Sequence, residues 1–166
     1  MPIVLVRIDD RLIHGQVIVE WVPFVKASGI IIVEDKIERN RLREQFLEAM
    51  KMAVPPNIRV EIYSVASIVE RFLRNELPDE NIILLFSTLQ DFKKSLDLGF
   101  RTRELNLGCI HSGDTEILSN ITITKKEATD LEEMRNRGIR LDLRAIPGNK
   151  QVALETISVF RKLIGY

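Results

Sequence analysis

Short runs of β-branched and other apolar residues alternate with helix-forming stretches along the whole chain, and no other feature limits the fold as tightly. The strand candidates are residues 3–8, 29–33, 59–63, 82–86, 104–109, 121–122 and 139–145. Ile30-Ile31-Ile32-Val33 and Ile82-Ile83-Leu84-Leu85-Phe86 are unbroken apolar runs, as expected of parallel strands covered on both faces. Residues 139–145 instead alternate, with Arg140, Asp142 and Arg144 between apolar neighbours, so this strand belongs near an edge with one wet face. The helices between them carry their own start and stop signals. Ser64 caps a one-sided stripe of Val65, Ile68, Val69, Phe72 and Leu73. Thr88 and Asp91 form a capping-box variant ahead of Phe92 and Leu96, with Gly99 as the stop. Thr124 and Glu127 form the box itself, and Gly138 closes that helix. Leu42, Phe46, Ala49, Met50 and Ala53 make another stripe, ended by Pro55-Pro56, and a last helix is expected from about Asn149, packing Ala153, Ile157, Phe160 and Ile164.

Alternation of this kind predicts an α/β fold: a single doubly wound, mainly parallel sheet of six or seven strands with helices on both faces. Residues 1–166 read as one domain, long enough to bury a core without a disulfide or metal staple. Ligand sites in such sheets lie at the carboxyl ends of the strands, here the loops beginning at Asp9, Glu34, Ser64, Ser87 and Ile110. The composition removes several function classes. The 24 basic and 24 acidic residues cancel, and aromatics are 6%, so there is no electrostatic footprint for nucleic acid. Cys109 is the one cysteine, which excludes an intrachain disulfide and a paired-cysteine redox site. No apolar run approaches the ~18 residues of a membrane span, and the opening Met1-Pro2-Ile3-Val4-Leu5 lacks a positive leader region, so the expected compartment is the cytoplasm.

Chemistry concentrates in the first loop, Arg7-Ile8-Asp9-Asp10-Arg11-Leu12-Ile13-His14-Gly15-Gln16-Val17. It follows a strand and opens a helix, so the amides of Gly15, Gln16 and Val17 can point at an anion. Arg11 offers a bidentate fork to phosphate oxygens. A histidine imidazole in free-base form is a competent nucleophile toward phosphorus, which gives His14 the role of phosphoryl acceptor. Asp9 or Asp10 can orient the ring or hold Arg11.

The same residues carry a resemblance. Arg-Ile-Asp-Asp-Arg-Leu-Ile-His-Gly-Gln-Val, with Trp21 shortly after, resembles the enzyme IIB component of the mannose/sorbose family of the bacterial phosphoenolpyruvate-dependent sugar phosphotransferase system. Ile-Ile-Ile-Val-Glu-Asp, Met-Ala-Val-Pro-Pro-Asn-Ile-Arg-Val-Glu, Leu-Leu-Phe-Ser and Glu-Leu-Asn-Leu-Gly continue the likeness through the second to fifth strands. It implies a phosphotransferase in which His14 accepts a phosphoryl group from a IIA partner and passes it to a sugar held by membrane components IIC and IID. It also implies that Arg11 contacts the phosphate, that Asp10 orients the site, and that no metal or organic cofactor is needed. Gly108-Cys109, where the family has paired glycines, and Pro23, inside the first helix, depart from the pattern.

Secondary candidates are weaker. Ser87 and Thr88 follow the fourth strand at the same sheet edge; Thr88 caps its helix, and either hydroxyl can contact phosphate. His111 reads as a solvated loop residue, since it and His14 lie on different loops without the third ligand a metal needs. Asp35 reads as a turn or cap, Cys109 as a small buried residue, and Trp21 as core. A receiver domain would need an aspartate where this chain has Tyr63-Ser64 and a lysine where it has Cys109-Ile110. A non-transporting regulator signalling through His14 phosphorylation is the alternative built on the same scaffold.

Overall fold

A computed structural model describes residues 2–38 and 41–166. Its strands are β1 (Ile3–Ile8), β2 (Gly29–Val33), β3 (Arg59–Tyr63), β4 (Ile82–Phe86), β5 (Glu104–Leu107), β6 (Ile110–His111), β7 (Thr115–Leu118), β8 (Ile121–Ile123) and β9 (Arg140–Asp142). Six form one sheet in the order β3-β2-β4-β1-β5-β9. Every pairing within it is parallel, and β9 is an edge as expected, although Asp142, on the face expected to be wet, is buried against Arg144. Successive residues of the apolar runs divide between the two faces. Ile31, Val33, Leu84 and Phe86 enter one buried cluster, while Ile30, Ile32, Ile83 and Leu85 enter the other.

The chain leaves β1 to reach β2 on one side and leaves β4 to reach β5 on the other, so the strand order reverses between β4 and β1. The crevice outside the carboxyl ends of these two strands is where such sheets bind ligands. Two loops border it, one carrying Asp9 to His14 and the other carrying Ser87 and Thr88.

The helix signals operate as read. Ser64 accepts from the Ser67 amide, Thr88 accepts from the Asp91 amide, and Thr124 and Glu127 bond reciprocally. Gly99 and Gly138 end their helices at φ 117° and 94°, where a side chain would be strained.

Four local differences stand out. Residues 121–122, expected in the main sheet, belong instead to a second three-stranded sheet, β6-β8-β7, in which β7 runs antiparallel to β8. The polypeptide turns back on itself so tightly there that a Cβ on Gly113 would strike the backbone of Ile123. The helix Arg43–Met52 turns Leu47 inward with Phe46 and Met50, leaving Leu42 53% exposed and Ala49 on the surface, because it covers only the flank near edge strand β3. The expected C-terminal helix is broken. Ile157 is extended (φ −84°, ψ 112°) and separates a 3₁₀ turn at Leu154–Thr156 from the helix Ser158–Leu163, so Leu154 and Phe160 are the anchors and Ala153 is exposed. Pro23 sits within the first helix directly after a π-wound segment, Gln16–Trp21, whose wider turns relieve the clash that an interior proline ring makes with the preceding turn.

Candidate active site

The site is built on a buried arginine. Arg7 lies near the end of β1 with no exposed surface, although a charge that deep must be paired to be tolerated. Its Nη2 donates to Asp9 Oδ2 (2.8 Å) and its Nη1 to Asn106 Oδ1 (2.5 Å). The Asn106 amide cannot turn away, since its Nδ2 donates to the carbonyls of Arg144 (2.9 Å) and Asp142 (3.3 Å). Trp21 packs 5.6 Å from the guanidinium and fixes its own ring by donating Nε1 to the Ala145 carbonyl (2.8 Å). Burial pulls the Arg7 pKa down and the Asp9 charge opposes it. Gly108 closes the arrangement from beneath. Any Cβ there would collide with the Arg7 guanidinium and the Asp9 carboxylate. The glycine is required for space.

Asp9 is the hub. Its Oδ2 meets both Arg7 and His14 Nε2 (2.9 Å), and its Oδ1 accepts from the Arg11 amide (3.0 Å) and Arg11 Nε (3.4 Å). Burial, the largest influence, would raise the Asp9 pKa. The His14 hydrogen bond, the Arg7 charge and the Arg11 amide together outweigh it and hold the group at about 2. A carboxylate that acidic only accepts hydrogen bonds, so it fixes the proton of His14 on Nε2 and leaves the lone pair on Nδ1. The loop is rigid enough to hold this geometry. Asp9 and Asp10 amides are tied to the Phe86 and Cys109 carbonyls (both 2.9 Å), and Leu12 and Ile13 are buried anchors. Leu12 is held at φ 56°, a left-handed conformation that costs a non-glycine residue about 1 kcal/mol or more.

Around the His14 ring the anion-binding groups assemble. The first helical bond runs from the Ile18 amide to the His14 carbonyl (3.1 Å), so the amides of Gly15, Gln16 and Val17 precede any intrahelical partner. Nothing lies within 4 Å of the place a Gly15 Cβ would occupy, so the approach is open. Arg11 is 41% exposed and held by Gln16 Oε1 (2.8 Å) and Asp9, which leaves donors of its fork for a ligand. Ser87 is buried at the exit of β4, and its Oγ has no hydrogen-bond partner of ordinary geometry among the described residues, with the Glu34 carboxyl beside it. Burial raises Glu34 above the usual carboxylate range. Thr88 is exposed and spends its hydroxyl on the Asp91 amide as a helix cap (3.1 Å).

The expectation for Asp10 needs correction. Its Oδ2 accepts from both the amide and Nδ1 of His111 (each 2.9 Å), pinning β6 to the loop, and the carboxylate against His14 is that of Asp9. Extended chain explains the difference: Arg7 and Asp9, two apart, share a face, and Asp10 points the other way. Asp35, read as a turn or cap, accepts from the Val65 amide (2.8 Å) at the start of the helix that Ser64 caps, and pairs with Lys94. Arg7, Asn106 and Gly108 lie in the stretches that carry the resemblance but had no role assigned to them, and the one signal for Arg7 is the strand spacing that places it with Asp9. Among the described residues no cluster of three or more His, Cys, Asp or Glu is placed to hold a metal, and no helix is long and apolar enough to cross a membrane.

Residues 3–163 match the family model of the phosphotransferase system sorbose subfamily IIB component. The chain belongs to that family. This IIB chain is 30% identical over 148 residues to the sorbose-specific EIIB component of Lacticaseibacillus casei, covering 88% of each. It is 28% identical over 148 residues to the mannose-specific EIIAB component of Escherichia coli, covering 88% of itself but only 45% of that longer protein. The crystal structure of the IIBSor domain of the sorbose permease from Klebsiella pneumoniae superposes with a TM-score of 0.82 at 27% identity over 98% of both chains. The family is that of a component of the phosphotransferase system.

Proposed function

We propose that this IIB chain is a phosphohistidine carrier, taking a phosphoryl group from a IIA partner on Nδ1 of His14 and passing it to a sugar held by membrane components IIC and IID. The observation that supports this most directly is the contact of His14 Nε2 with a buried, strongly acidic Asp9. Attack by Nδ1 on the incoming phosphorus forms the N–P bond as the donor's own bond to phosphorus breaks. The ring then carries positive charge, with its Nε2 proton facing the Asp9 carboxylate, which stabilises it. Arg11 and the amides of Gly15, Gln16 and Val17 take the phosphoryl oxygens, and Ser87 Oγ is a further donor at the crevice. The cationic ring is also a good leaving group, so the same contact serves the second transfer, in which a sugar hydroxyl attacks phosphorus. Rival acceptors are poorly placed. Burial pushes the Cys109 thiol up, so it stays un-ionised, and Asp9 has no exposed surface. The IIA partner is supported by the E. coli relative, which carries both letters in its name and extends well beyond the length this chain matches.

The test is intact mass after incubation with phosphoenolpyruvate, the general phosphocarriers and candidate IIA domains. Wild type and His111→Ala gain about 80 Da, the mass of one phosphoryl group, and lose it in mild acid but not mild alkali; His14→Ala gains nothing while remaining folded. Phosphate on His14→Ala, or acid-stable and hydroxylamine-labile phosphate on wild type, overturns the proposal.

A further inference from the structure

A groove of about 760 Å³ opens at the amino ends of β1 and β5, the opposite end of the sheet from His14. Its origin is a gap in the ladder. β1 lies inside the sheet, yet only Arg7 and Ile8 pair with β5, so Ile3, Val4 and Leu5 have β4 as their one neighbour and stay half-buried. Phe24, 59% exposed at the end of the first helix, adds an aromatic wall. Arginines supply the polar lining. Arg140 and Arg144 are neutralised by Glu104 (2.7 Å) and Asp142 (3.0 Å). Arg101 donates only to the neutral carbonyls of Leu96 (3.0 Å) and Phe100 (2.7 Å), and Arg103 forms no side-chain hydrogen bond or ion pair among the described residues. Two cationic charges therefore face one apolar-walled groove without a matching acid, in a chain whose net charge is zero.

We infer that this groove is a second ligand site, for an organic phosphate monoester whose dianion is met by Arg101 and Arg103 and whose apolar or ring portion lies against Phe24 and the open flank of β1. Two guanidinium forks match the charge and the oxygens of such a group. The volume falls within the ordinary range of small-molecule sites, roughly 300–1,000 Å³. The inference holds whether or not His14 carries a phosphoryl group, since the two sites use different residues.

Trp21, the one tryptophan, borders the groove in edge contact with Phe24 (ring centroids 6.0 Å apart) and 5.7 Å from the Arg144 guanidinium, so it reports occupancy. Phenyl phosphate is titrated while tryptophan fluorescence is followed, with inorganic phosphate in parallel. The expected result is saturable binding of phenyl phosphate, at least fivefold weaker in Arg103→Gln and unchanged in Arg11→Ala. Phe24→Ser weakens phenyl phosphate while leaving inorganic phosphate alone. Arg103 has no side-chain partner to lose, so its variant folds normally, which circular dichroism checks. Absence of saturation, equal affinity in Arg103→Gln, or loss of binding in Arg11→Ala overturns the inference, the last because the phosphate would then be at the His14 site.

Discussion

Replacing Asp9 by asparagine keeps the shape of the hub and removes its charge, and the consequences separate into stability and rate. Oδ2 serves both Arg7 and His14, while Oδ1 serves the Arg11 amide and Nε. An asparagine NH2 group must therefore face donors whichever way the amide is turned, and Arg7 is left buried without a counter-charge. Two routes give the size. The folded Asp9 pKa of about 2, against an ordinary 3.8, corresponds to about 2.5 kcal/mol. Removing one partner of a buried ion pair costs about 3–5 kcal/mol. These count the same contacts, so the expected loss is about 3 kcal/mol, a fall in Tm of about 6–12 °C for a chain of this size. Because the pKa is depressed on folding, wild type holds this stabilisation above its unfolded pKa and loses it as pH falls from about 4 towards 2. The gap between wild type and Asp9→Asn should close over that window. Transfer from phospho-IIA, followed by intact mass at neutral pH, should slow about 10²-fold, because an NH2 group at the Oδ2 position drives the ring proton to Nδ1 and removes the nucleophilic lone pair. A variant that unfolds at the wild-type temperature and accepts phosphate at the wild-type rate would refute the hub.

Arg11→Lys keeps a charge but loses the fork, and a well-placed transition-state donor is worth about 2.7–4 kcal/mol. Transfer should slow at least about tenfold with little change in Tm, since Arg11 is largely at the surface; a wild-type rate would remove it from the mechanism. Gly108→Ala should cost about 1–3 kcal/mol by forcing Arg7 and Asp9 apart, whereas Gly15→Ala, with open space and helical backbone, should leave thermal stability nearly unchanged; the reverse order in a melting series would contradict the packing.

The residues that could be read from sequence are those whose role is local. Apolar runs and caps announced the parallel sheet, and the carboxyl-end rule then led to the loop of His14, where nucleophile, arginine and helix start are neighbours in the chain. The support beneath was hidden because it is assembled across distance. Asn106 reaches Arg7 from β5, which pairs with β1 only after folding, and is itself held by the Arg144 carbonyl beyond the end of β9; an arginine in a strand gives no sign that it will be fully buried. The choice between Asp9 and Asp10 turned on which way each carboxylate points just beyond β1, which an adjacent pair leaves open until the partners His14 and His111 are placed around it. The broken C-terminal helix and the second sheet failed for a related reason: Leu154 and the turn around Gly113 answer to tertiary contacts stronger than local periodicity.

The nitrogen that carries the phosphoryl group decides the mechanism. His14, labelled with ¹⁵N and phosphorylated through the IIA partner, is observed by ¹H–¹⁵N and ³¹P correlation NMR, which distinguishes the two ring positions. With Nε2 held against Asp9, the phosphorus should couple to Nδ1, and the Nε2 proton should persist as a hydrogen-bonded signal. Phosphorus on Nε2 of His14, or on any other residue, would contradict the account.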